Sequence, residues 1–216
     1  MAPFRVRYQT IELDEIDIHL RTLRDRQEYC DIDGAAEKLG ISSALWPIFG
    51  VVWPSSIVLT HFLLTYPYKN KRILEVGCGI GLVSLLLNHF EADITATDIH
   101  PEAEQFLQEN VRLNKGKEIP FLRCGWGDLQ SRLGEFDLIV GSDLLYEDEH
   151  ADLLSSFIEQ HSNSHCDVII VDPGRSSRTK FCKKMKKLNF SHDQQKFVNP
   201  EYLEKPYRGY VLQFSR

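Results

Sequence analysis

The sequence predicts an α/β fold around a mostly parallel sheet. From Lys71 onward, short runs rich in Ile, Leu and Val alternate with longer amphipathic runs, the pattern of successive strand–helix–strand units. The short runs are nearly continuous in apolar residues, as suits strands covered on both faces. The last two have no helical run between them, which makes an antiparallel pair closing one edge. At 216 residues the chain fits one domain, 1–216, with one core.

The first seventy residues are the least regular. Arg5–Tyr8 and Ile16–Leu20 read as two short paired strands. Trp53-Pro54-Ser55-Ser56 starts a helix reaching about Tyr66, with proline suited to a first helical position. Residues 1–45 have no core pattern long enough to stand alone and read as an extension or lid. Residues 46–216 read as the core. Strands are expected at Arg72–Val76, Asp93–Thr97, Ile119–Arg123, Phe136–Gly141 and Val168–Asp172, each bounded by Gly, Asp or Pro. Helices are expected from about Gly81 to Phe90, from after Pro101 to about Asn114, from Glu147 to Gln160 and from Ser177 to Leu188. Gln194–Val198 and Gly209–Phe214 complete the sheet.

Composition narrows the function. The net charge of -6 argues against a nucleic-acid-binding surface. The most apolar stretch, Ala44–Pro54, is too short to span a bilayer and holds two prolines. The five cysteines show no C-x-x-C or framework spacing, so reduced thiols in the cytoplasm are expected; the chain is also expected to be a monomer. The first residues lack a signal-peptide core, and the sequon at Asn189 would go unused in the cytosol. His161 and His165 share i,i+4 spacing, but Ser162-Asn163-Ser164 between them reads as a loop. No carboxylate or cysteine pattern completes a metal site. Lys183–Lys187 reads as the solvated face of a helix.

Four segments carry chemistry. Ile73-Leu74-Glu75-Val76-Gly77-Cys78-Gly79-Ile80-Gly81 is a buried strand running into a glycine-rich turn and then a helix. Glycine serves where the backbone takes positive φ or must approach a ligand, and a helix N-terminus offers free N–H groups. The spacing is G-x-G-x-G, not the G-x-G-x-x-G of dinucleotide enzymes. Glu75 would repel a pyrophosphate, yet could reach the ammonium of S-adenosylmethionine (AdoMet) directly or through water. Asp98, ending the next strand just before Ile99, is placed to accept from both hydroxyls of an adenosine ribose, a role equally suited to NAD. In Cys124-Gly125-Trp126-Gly127-Asp128, Trp126 could pack on adenine and Asp128 accept from its amine; the alternative is a Trp plugging the sheet's end. Ser142-Asp143-Leu144-Leu145-Tyr146 follows the fourth strand at the carboxyl end of the sheet, where Asp143 and Tyr146 would flank a reacting centre. A helix cap and a surface tyrosine is the other reading.

With these segments assembled, the chain resembles the class I AdoMet-dependent methyltransferases. More narrowly it resembles the seven-β-strand family, often called family 16, that includes many protein-lysine methyltransferases. Val51-Val52-Trp53-Pro54, Trp126-Gly127 and Asp143-Leu144-Leu145-Tyr146, a D-x-x-Y motif, carry the narrower likeness. Asp172-Pro173-Gly174-Arg175 is similar to the D-P-G-R of the branch that methylates the electron-transfer flavoprotein β subunit. The resemblance implies a Rossmann-like seven-stranded sheet with its last strand antiparallel. It implies AdoMet as cofactor, with S-adenosylhomocysteine as product, held by Trp53, Glu75, Gly77, Cys78, Gly79, Gly81, Asp98, Ile99, Trp126, Asp128 and Ser142. Asp143 and Tyr146 would line the slot for an acceptor amine, a protein lysine or alternatively a small metabolite; a non-catalytic AdoMet-binding protein is the third reading.

Overall fold

The computed structural model describes residues 4–128 and 131–216; the first three residues of the N-terminal segment lie outside it. The chain forms a hairpin of β1 (Val6–Leu13) and β2 (Ile16–Leu23), a short α1 (Ala35–Lys38), a single 3-10 turn at Ile48–Gly50 and α2 (Pro54–Leu64). There follow β3 (Arg72–Val76), α3 (Leu82–His89), β4 (Asp93–Asp98), α4 (Ala103–Leu113), β5 (Phe121–Arg123) and β6 (Phe136–Ser142). The chain ends with α5 (His150–His161), β7 (Ser162–Asp172), α6 (Ser177–Lys187), β8 (Ser191–Val198) and β9 (Arg208–Ser215). The seven-stranded sheet has the order β5-β4-β3-β6-β7-β9-β8. Strands β3 to β7 pair in parallel, and β9 runs antiparallel to both β7 and β8.

Period-two alternation explains how the sheet is covered. Ile73, Leu138, Val140, Ile169 and Val171 pack in one apolar cluster with α2, α3 and α4. Their neighbours Leu74, Val76, Ile139, Val168 and Ile170 pack in a second cluster with α5 and α6. Both faces are therefore buried, which is why the strands read as unbroken apolar runs. Leu13, Ile18, Leu20 and Leu23 of the hairpin join the first cluster. The free edge of β2 lies along α4. There Asn110 accepts from the Arg21 N–H at 2.6 Å, and its amide donates back to the Arg21 carbonyl at 3.3 Å. Asn114 accepts from the His19 N–H at 2.8 Å and donates to the His19 carbonyl at 2.7 Å.

Two expectations need correction. Ser162-Asn163-Ser164 is not a loop: it opens β7, where Ser162 pairs with Phe136 across a shift in register. The expected third strand shortens to Phe121–Arg123, because Pro120 has no N–H to give a ladder. His161 is buried with both ring nitrogens engaged, by Ser131 Oγ and the Gly134 carbonyl, each at 2.8 Å. Among the described residues no helix is long and apolar enough to cross a membrane.

The strand order reverses direction between β3 and β6. After β3 the chain moves outward through β4 and β5, then returns to lay β6 on the other side of β3. The crevice beyond the carboxyl ends of β3 and β6 is where open α/β sheets hold ligands.

Candidate active site

A cavity of about 630 Å³ opens at that point, within the usual range for small-molecule sites. Its floor is the turn from Gly77 to Ile80. One wall is the segment from Leu39 to Trp53, and the other is built by residues 124–127, 142–150 and Arg175. Of the residues singled out in the sequence, Trp53, Glu75, Gly77, Cys78, Gly79, Asp98, Ile99, Trp126, Ser142, Asp143 and Tyr146 line it. Two do not. Gly81 is the N-cap of α3, with φ of 82°. Asp128 lies exposed past a tight turn in which its N–H bonds to the Gly125 carbonyl at 3.1 Å.

Glu75 shares a face of β3 with Ile73 and so points at α3. It is 3% exposed. Its Oε2 accepts from the Ser84 N–H at 2.9 Å and from the Ser84 hydroxyl. Ser84 is in the first turn of α3, so the Glu75 carboxyl group occupies the N-terminal end of this helix. In dinucleotide folds that position receives the pyrophosphate; here the place is taken. Burial pushes the Glu75 carboxyl up to about 8 against the pull of Ser84.

This shift has a measurable consequence. The folded protein keeps a proton that the unfolded chain releases near the ordinary value of 4.5. The resulting stabilisation is complete below pH 4.5 and is lost as the pH rises towards 8. Glu75→Gln, which cannot ionise, is expected to flatten the decline in melting temperature between those limits in the ligand-free protein. An equally steep decline in the variant would mean that Glu75 is not its source.

Asp98 ends β4 beside the turn. Its Oδ2 accepts from the Gly79 N–H and its Oδ1 from the His100 N–H, both at 2.8 Å. Burial raises the carboxyl, opposed by these backbone donors. Cys78 is fixed by its N–H to the Thr97 carbonyl at 2.9 Å. Burial raises its thiol and pushes that of Cys124 up to about 11, so neither is a thiolate nucleophile near neutral pH.

The N-terminal wall is pinned by aromatic contacts. Phe49 stacks on His100 at 3.8 Å, and Tyr29 meets both rings edge-on at 5.5 and 5.0 Å. Burial drives His100 down to about 3, so the ring is a neutral packing surface. Trp53 donates to the Ile48 carbonyl at 2.8 Å, with the Arg26 guanidinium 4.2 Å over its ring.

Opposite, Asp143 takes a left-handed backbone, φ of 58°, with its N–H on the Val171 carbonyl at 2.8 Å. Its carboxylate accepts from Arg175, whose Nε lies 3.1 Å from Oδ1 and whose Nη2 contacts the same atom. Burial raises the Tyr146 hydroxyl, keeping it protonated. His150 was not singled out in the sequence. It stands between Trp126 and Tyr146, edge-on to each at 5.0 and 4.4 Å, with Nδ1 2.7 Å from the Leu144 carbonyl. Nothing in its spacing marks it, whereas Arg175 was visible as the end of D-P-G-R. Acids dominate the lining: Glu75, Asp98, Asp143, Glu147 and Glu149, against one Arg or Lys among the described lining residues, Arg175.

Comparison with known proteins identifies the family. A family model described as lysine methyltransferase matches residues 41–188. The electron transfer flavoprotein beta subunit lysine methyltransferase of Xenopus laevis is 33% identical over 140 residues, 61% of this chain and 56% of that protein. Protein N-lysine methyltransferase METTL21A of Xenopus tropicalis is 31% identical over 156 residues, 67% of this chain and 69% of its own length. The chain thus spans about half the length of several relatives it matches. Among solved structures, a methyltransferase from Pyrococcus furiosus aligns with a TM-score of 0.60 at 21% identity, covering 74% of this chain and 82% of that one. Magnesium protoporphyrin IX methyltransferase from Synechocystis, solved with bound SAM, aligns at 0.59 and 17% identity, over 75% and 78%. The methyltransferase fold and the match over residues 41–188 together settle the assignment: the chain belongs to the lysine methyltransferase family.

Proposed function

We propose that this protein transfers a methyl group from AdoMet to the side-chain amine of a lysine in another protein. The observation that carries the reading is the acid-lined cavity at the switch point, with Glu75 filling the N-terminus of α3. Glu75 occupies the helix end that would otherwise take a phosphate, and the other acids of the lining favour cations. AdoMet is cationic at its sulfonium and ammonium, and a lysine is cationic until it loses a proton.

The residues fit AdoMet by the chemistry of their donors and acceptors. An ammonium at Glu75 Oε1 would favour the ionised carboxylate that accepts from it, and Asp98 is the acceptor for the ribose hydroxyls. Trp126 and Ile99 supply apolar surface for adenine. Gly77, Cys78 and Gly79 form the floor, with Ser142 and Trp53 at its margins. Gly81 supports the turn from behind, and Asp128 has no part in the reading. Bound there, AdoMet supplies a methyl already activated on sulfur, so the protein's work is alignment. Asp143 orients the acceptor amine through its carboxylate or backbone carbonyl, and Tyr146 narrows the approach. The five cysteines are free thiols, the state a reducing compartment maintains, so the reading includes a cytoplasmic setting.

Tritiated AdoMet tests the reading directly. Recombinant electron transfer flavoprotein β subunit and a desalted total-protein extract serve as acceptors. Incorporation into protein, released as methyl-lysine on hydrolysis, is the expected result; label in small amines alone would overturn it. Asp143→Ala is expected to lower turnover by about 100-fold with AdoMet affinity kept, and Tyr146→Phe by less. Wild-type turnover in both variants would remove them from the acceptor slot.

A further inference from the structure

Arg175 lines the cavity beside Asp143, the residue read above as orienting the acceptor amine, and the fold has built a support for it. Asp172, at the end of β7, is fully buried. Its Oδ1 accepts from the N–H groups of Gly174 and Arg175, both at 2.8 Å. Gly174 takes φ of 90° to make that turn. The turn presents the guanidinium to Asp143, which lies 32 residues earlier at the end of β6. The Asp143 side chain is only 9% exposed, while that of Arg175 is 35% exposed and lines the cavity.

A lone carboxylate in an acceptor slot works against methyl transfer. It attracts a lysine but holds it as the ammonium ion, which has no lone pair with which to attack. A free lysine already has a pKa of about 10.4, and an adjacent anion raises it further. A carboxylate paired with a guanidinium still accepts a hydrogen bond, but its charge is balanced.

We propose that Arg175 is a positioning residue of the acceptor slot, which by pairing with Asp143 cancels the charge that would hold an incoming lysine in its protonated form. The lysine then gives its proton to solvent water and attacks as the neutral amine. Other groups facing this pair are Asp172 behind it, Tyr146 and Glu147 in the loop after β6, Asp98 across the cavity and Tyr207 before β9. All the acids among them raise the amine's proton affinity, and Arg175 is the cation that opposes them. The inference rests on the lysine-methyltransferase reading above.

The test is the pH dependence of the single-turnover rate, with enzyme and AdoMet in excess and the desalted extract as acceptor. The rate rises with pH as the bound amine deprotonates. Arg175→Gln is expected to move that rising limb to higher pH by about one unit, a rate loss of about tenfold below it. Arg175→Lys should leave the limb close to its wild-type position. The double variant Asp143→Asn with Arg175→Gln, which removes both charges, should return it there. An unmoved limb in Arg175→Gln, or an equal shift in Arg175→Lys, would overturn the inference while the methyltransferase reading stands. Should Arg175→Gln fail to fold, the double variant decides: a limb at the wild-type position supports the inference, and one displaced upward overturns it. No incorporation by the wild type would overturn the methyltransferase reading and this inference together.

Discussion

Asp98→Ala is expected to weaken AdoMet binding by at least about 100-fold, the largest effect of any single change in the cavity. In the proposed reading Asp98 accepts from both ribose hydroxyls. Hydrogen bonds to a charged acceptor contribute about 1.5–3 kcal/mol each, and about 1.4 kcal/mol is a factor of ten. The substitution also frees the N–H groups of Gly79 and His100, which the carboxylate now holds at 2.8 Å. The floor of the cavity thus loses its anchor as well as its acceptor. Asp98→Asn keeps one carbonyl oxygen and should lose less. Calorimetric titration with AdoMet and S-adenosylhomocysteine measures both variants. An Asp98→Ala protein that melts like the wild type and binds AdoMet with unchanged affinity would show that the ribose lies elsewhere.

Gly79→Ala is expected to destabilise the fold by about 2–5 kcal/mol and to disable the site. Gly79 has φ of 54°, where a Cβ costs about 1–2 kcal/mol. A Cβ there would also stand 2.7 Å from the Phe49 carbonyl oxygen. That atom is backbone, so relief requires moving the segment that carries the Phe49–His100 stack. The glycine is needed here for the approach of the protein's own N-terminal wall, whatever a ligand requires. Denaturant unfolding of Gly79→Ala against wild type measures the cost. A loss below about 1 kcal/mol would mean that the wall yields easily and is not pinned to the turn.

Legibility in the sequence followed burial. The parallel strands were readable because both of their faces are covered, so apolar residues run on without a polar break. The opening of β7 was not, because Asn163, Ser164 and His165 extend past the covered part of the sheet. Main-chain pairing holds that stretch instead: Phe136 opposite Ser162, and Cys166 exchanging two 3.2 Å hydrogen bonds with Arg216. At the site, Glu75, Asp98 and Asp143 were readable because each lies at or just past a strand's carboxyl end, a place fixed by local order. Phe49 on Gly79, His150 between two aromatic rings and Arg175 on Asp143 are tertiary meetings between distant segments, and one sequence carries no local trace of them. Asp128 lies exposed past a tight turn after Trp126 and is not part of the cavity lining.

The two asparagines of α4 along β2 bear on how the chain is made. An open strand edge is a row of unpaired donors and acceptors, ready to template another strand. In the finished protein, Asn110 and Asn114 close that row. Their partners Arg21 and His19 precede them by 89 and 95 residues. During synthesis the hairpin therefore leaves the ribosome long before its cover exists. Chains interrupted ahead of residue 110 carry that edge uncovered, the form that can template a second strand. Asparagine is a poor residue for a helix interior, so α4 gives up some local stability at Asn110 to cover the edge, while Asn114 does so from the helix C-cap.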